Sequence, residues 1–161
     1  MKKLLIIALI IISTSQIYAQ YSTSTKGYLI DKIETGELLA TIISEPKNNS
    51  FRKEIFPILS EVLSSTGNMD PYFIKLTAIS EKSGFPGTYT ESRMKDFNYY
   101  LILFKDTKWR IPNENGGYKL SSIDFNKKNY FEIFDISGWF ILISQSNATG
   151  ICSIITYGNA N

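Results

Sequence analysis

The clearest pattern in the chain begins at Phe51. Phe51, Ile55, Ile58, Leu59, Val62 and Leu63 recur at helical spacing on one face, with Lys53, Ser60, Glu61 and Ser64 elsewhere. This predicts one amphipathic helix over about 50–65. Asn49 or Ser50 supplies an oxygen to cap its first free N–H groups, and Gly67 and Asn68 end it. Pro57 lies inside the run, so the helix either kinks there or starts its regular part at that residue.

Elsewhere the pattern is that of strands. Runs rich in β-branched and apolar residues at 28–34 and 37–44, joined at Thr35-Gly36, have the spacing of a hairpin, although Leu38-Leu39-Ala40 in the second run would also suit a helix. Further strands are expected at 72–80, 97–105, 109–112, 118–125, 130–136, 139–144 and 151–157, separated by turns such as Asn113-Glu114-Asn115-Gly116-Gly117. Connections in this half are too short for parallel crossovers. The expectation is therefore α+β: one helix packed on a curved antiparallel sheet of six to eight strands, largely a meander after residue 97.

The N-terminus follows a different logic. Lys2 and Lys3, an apolar run over 4–12, a polar stretch and Ile17-Tyr18-Ala19 have the three-part order of a cleaved signal peptide, with the cut after Ala19. Nine uninterrupted apolar residues fall well short of the roughly 20 that a membrane-spanning helix requires. The short basic end fits a bacterial signal, so the mature chain is expected in the periplasm or the medium, with no transmembrane segment. Removing 19 of 161 residues leaves 142, the size of a single domain over 20–161. Its polar lead, 20–26, is expected to be poorly ordered. Asn48-Asn49-Ser50 and Asn147-Ala148-Thr149 match glycosylation sequons but read as polar turns in a bacterial context.

Charge and composition then narrow the function. Loss of Lys2 and Lys3 takes the basic residues from 17 to 15, equal to the 15 acidic ones. A neutral mature chain has no general electrostatic attraction to nucleic acid or anionic lipid. The single cysteine, Cys152, allows no internal disulfide, and its apolar surroundings read as those of a buried thiol rather than of a bond to a partner chain. There is no histidine at all. That excludes Ser-His-Asp and Cys-His catalysis and the usual zinc sites, and no phosphate loop or calcium loop is present. No metal or other cofactor is expected.

Two chemical patterns remain. Ser50 to Lys53 and Ser92 to Lys95 match the Ser-x-x-Lys spacing of some serine acyl-enzymes, but the accompanying Lys-Thr-Gly element is missing and the spacing reads as chance. Among the carboxylates, no two stand out as an acid/base pair, and Glu132 and Asp135 would face opposite ways on one regular strand. The aromatic residues are more informative. Trp139, within an apolar run, is assigned to the core. Trp109, flanked by Lys108 and Arg110 beside the glycine-rich turn, is expected to be exposed, and with Tyr118 it forms the candidate ligand-binding pair.

The resulting expectation is an exported, non-enzymatic module that binds a protein or a cell-envelope component such as a glycan through an exposed sheet face or the loops at 84–90 and 113–117. A small carboxylate-dependent hydrolase of envelope sugars is the alternative, and a subunit assembling through sheet edges is a third reading.

Overall fold

The computed structural model describes residues 25–67, 70–82, 88–89, 96–125 and 130–160. The expected signal sequence and its expected cleavage site, the lead before Thr25, Ser92 to Lys95 and most of the 84–90 loop lie outside these residues.

Strand β1 (Thr25–Glu34) leads into helix α1 (Gly36–Ser44), a 3-10 turn (Pro46–Asn48) and helix α2 (Asn49–Thr66). The strands that follow are β2 (Pro71–Lys82), β3 (Thr88–Tyr89), β4 (Phe97–Phe104), β5 (Lys108–Pro112), β6 (Tyr118–Ser122), β7 (Tyr130–Glu132), β8 (Ile136–Ser146) and β9 (Cys152–Ala160). The class is α+β, with both helices packed against an open sheet. Strands β3 and β7 are stubs of two and three residues, and the other seven described strands have five or more.

The expected strand at 37–44 is corrected: this segment is α1. Thr41, Ile42 and Ile43 have strand-like chemistry, but the residues turned inward are Leu38, Leu39, Ile42 and Ile43, a repeat of three to four. A strand would have put Leu39 and Ile42 on opposite faces. The end of α1 is held from a distance: the Arg52 guanidinium donates to the carbonyls of Ile43, Ser44 and Glu45 at 2.8, 3.1 and 3.2 Å, satisfying acceptors that the helix leaves free.

Of the expected stripe, helix α2 buries Phe51, Ile55, Ile58 and Val62, leaves Leu59 partly buried and Leu63 47% exposed, and runs through Pro57 instead of beginning there. Gly67 closes it in the left-handed conformation (φ 69°), its N–H donating to the Leu63 carbonyl at 2.9 Å. The N-terminal cap is corrected. Asn49 and Ser50 lie inside the helix, the cap position is Asn48, and its side chain makes no capping bond. The Asn48 carboxamide is fully buried and turned elsewhere: its oxygen accepts the Cys152 N–H at 2.8 Å and its nitrogen donates to the Ile42 carbonyl at 3.0 Å. One side chain thus joins the end of α1, the start of α2 and the start of β9.

All strand pairs are antiparallel, in the order β6-β5-β8-β4-β2-β1-β7, with β9 on the other side of β8 and β3 beside β2. The hairpins β5–β6 and β8–β9 are meander-like. Two features depart from a strict meander: β4 and β5 are successive stretches of one line along β8, and β7 crosses to the far edge beside β1. Between β4 and β5, Thr107 is buried; its hydroxyl accepts the Phe104 N–H at 3.1 Å and donates to the Trp139 carbonyl at 3.3 Å. Gly138, expected to separate two strands, instead lies within β8 at φ 122°, and a Cβ there would sit 3.2 Å from the Thr107 Cα.

The sheet is covered on both faces. Beneath the helices, Phe73, Tyr100, Ile102, Phe104, Ile141, Ile143 and Cys152 meet Leu39, Ile42 and the buried stripe of α2. The opposite face carries a second core of Ile74, Leu76, Leu101, Leu103, Trp109, Phe131, Ile136, Phe140 and Leu142. This explains why 100–104 is buried without alternation. The second core exists because the ends of the strand order approach each other: Trp109 of β5 packs on Phe131 of β7 with ring centroids 5.2 Å apart. Side chains bridge a seam that, among the described residues, no strand pairing closes.

Candidate functional site

Period two places each residue of the β5–β6 hairpin. Trp109 and Ile111 turn into the second core, so Lys108, Arg110 and Pro112, with their register partners Ser122, Leu120 and Tyr118, face outward. The connecting turn is tight, the Asn113 N–H donating to the Gly117 carbonyl at 3.0 Å, with Gly116 and Gly117 at positive φ (82° and 83°).

The expected exposure of Trp109 is corrected: it is 2% exposed. The flanking cations suggest a surface position for the whole segment, but on a strand they have the opposite meaning, because the neighbours of outward residues point inward. Trp139 is half-buried at the border of the first core, its indole N–H donating to the Ser65 hydroxyl at 2.8 Å. Tyr118 does reach the surface and is 54% exposed.

Tyr118 is not alone there. Its ring meets Phe134 edge-on, with centroids 5.3 Å apart and planes at 75°. Phe134 is 49% exposed, and Leu120 is also exposed beside Arg110. The Arg110 guanidinium lies 5.8 Å from the centre of the Phe134 ring and donates to the Phe134 carbonyl at 3.3 Å. Phe134 reaches this place because the expected strand at 130–136 breaks after Glu132 into a 3-10 turn, Ile133–Asp135. The Asp135 carboxylate accepts the Glu132 N–H at 2.8 Å and so holds the turn. The result is a fixed apolar patch of two aromatic rings and Leu120, with a guanidinium at its side, set over the seam of the sheet. It is suited to burial against a partner: aromatic faces supply area at low entropic cost and the cation and phenol hydroxyl supply direction.

Other candidate groups are dispersed. Ser50 and Lys53 are both exposed on α2. Asp70 pairs with Lys105 at 3.6 Å, and Glu45 with Lys47 at 3.0 Å. Cys152 is a free, buried thiol whose pKa burial pushes up to about 11, so it stays protonated at neutral pH. Among the described residues no group of three or more His, Cys, Asp or Glu side chains is placed to hold a metal ion, and no helix is long and apolar enough to cross a membrane.

The chain matches no protein-family model, no curated protein and no solved structure.

Proposed function

We propose that this chain is an exported, non-enzymatic binding module that engages a protein or a cell-envelope component through the outer face of the β5–β6 hairpin. The observation that supports this reading is the Tyr118–Phe134 pair. Both rings are about half exposed; Arg110 and the turn that Asp135 secures hold Phe134 at the surface, and Tyr118 meets it edge-on. Single exposed apolar residues are ordinary, whereas an ordered aromatic cluster beside a cation resembles the centre of an interface. The substituents here are those of recognition: they offer surface and hydrogen bonding and no nucleophile with a base beside it.

The reading is tested by co-sedimentation of the 20–161 chain with a purified envelope fraction, comparing the parent protein with a Tyr118→Ala/Phe134→Ala variant. Both side chains are exposed, so the variant keeps its melting temperature within a few degrees. Binding is expected to weaken about thirtyfold, the loss of two contacts that together supply about 2 kcal/mol. Equal binding by the two proteins, or binding by neither, contradicts the proposal.

A further inference from the structure

The free edge of β9 lies apart from the hairpin surface and has different chemistry. Strand β9 pairs with β8 over Gly138–Gln145 and, among the described residues, with no second strand. Its residues, Cys152–Ala160, include no charged side chain and no proline. Those are the features with which sheet edges are commonly blunted against further pairing. One further such device, a bulge, is present: a register shift leaves Ile155 without a partner on β8, while the other eight residues of the strand keep theirs.

Helix α2 runs above this strand in the same direction. At its start Asn48 accepts the Cys152 N–H. Nearly two turns further on, Glu54 and Ile154, Ile155, Thr156 and Tyr157 line a groove of about 510 Å³. Near its end Ser65 accepts the indole N–H of Trp139, the register partner of Asn159. Glu61 lies two turns beyond Glu54 and one turn before Ser65, so both carboxylates stand on the flank of the helix that overlooks β9, and both are exposed. Below them the edge is apolar, with Ile155 39% and Tyr157 50% exposed.

We propose that the β9 edge docks an extended basic segment of another protein, which adds beside β9 as a further strand and sets a lysine or arginine under Glu54 and Glu61. Main-chain pairing provides affinity in such additions, and the alternate side chains select the sequence. Charge argues against a second copy of this chain as the occupant: β9 has no cation to offer the two carboxylates, and a symmetric pairing would turn two acidic flanks toward each other. This inference does not depend on the hairpin surface.

The test is selection from a random nonapeptide display library on the 20–161 chain, followed by anisotropy titration of the selected peptides against a Glu54→Lys/Glu61→Lys variant. Both substitutions are at exposed helical positions, and a matched circular dichroism spectrum verifies the fold. The expected peptides alternate β-branched residues with Lys or Arg, lose at least about tenfold in affinity on charge reversal, and lose binding when alternate amides along one edge are N-methylated. Hydrogen exchange is expected to slow in β9 on binding. The proposal is overturned if no sequence is enriched, if the selected peptides lack cations or bind both proteins equally, or if protection appears on the β5–β6 hairpin instead. A concentration-dependent dimer abolished by Tyr157→Arg would also overturn it, giving the edge to a second copy.

Discussion

Replacing Trp109 with alanine is expected to destabilise the fold by about 4 kcal/mol, the range for removing a large aromatic side chain from a packed interior. Trp109 is 2% exposed, and its ring packs on Phe131 across the seam between β5 and β7. Truncation therefore both opens a cavity in the second core and removes the contact that draws the ends of the strand order together. Relaxation is limited, because β5 is tied to β6 and β8 by pairing on both sides. The control is Trp139→Phe, which keeps most of the ring and loses the hydrogen bond to Ser65, a change worth about 1 kcal/mol. Urea denaturation of the two variants reads the difference. A Trp139→Phe variant less stable than Trp109→Ala would mean that the second core does not hold Trp109 as described.

The next largest effect is expected at Asn48. Asn48→Ala should cost about 3 kcal/mol, since it leaves two buried main-chain groups, the Cys152 N–H and the Ile42 carbonyl, without their partner. Aspartate does not restore the site, because it retains the acceptor and loses the donor while burying a charge. Ser50→Ala separates this role from helix capping. Ser50 is exposed within α2, so its replacement should change stability by less than about 0.5 kcal/mol. If Ser50→Ala is as damaging as Asn48→Ala, the junction owes its stability to an N-cap and not to the buried carboxamide. Chemical denaturation monitored by far-ultraviolet circular dichroism makes the comparison.

These two positions also show what the linear sequence conceals. The stripe of α2 is legible because a single packed face imposes its period on consecutive residues, and Phe51, Ile55, Ile58 and Val62 are buried accordingly. The antiparallel, sheet-rich character is legible for a different reason: runs rich in β-branched and apolar residues are joined by connections too short for parallel crossovers. The segment 37–44 is not, because Thr41, Ile42 and Ile43 have the composition of a strand while packing selects the helical repeat of Leu38, Leu39, Ile42 and Ile43. Asn48 looks locally like a turn residue or a cap, and its decisive partner is Cys152, 104 positions away. No local pattern encodes that bond.

The candidate surface was half legible. Tyr118 follows from its place beside a glycine-rich turn, and it is exposed. Phe134 was hidden by a strand-like run whose break depends on the carboxylate of Asp135 reaching back to Glu132. The spacing of three between those acidic residues, which excludes a shared strand face, was the available signal. The burial of Trp109 is concealed by its flanking charge, although the alternation that this charge defines turns the tryptophan inward.

The proposed role stands or falls on contact at the hairpin, and site-specific photo-crosslinking in cells that produce the full chain tests this most directly. A benzophenone amino acid replaces Tyr118 in one strain and Phe56, an equally exposed aromatic on α2, in another. The account predicts a discrete higher-mass adduct from position 118 and none from position 56. Adducts from position 56 alone, or none from either, would contradict it.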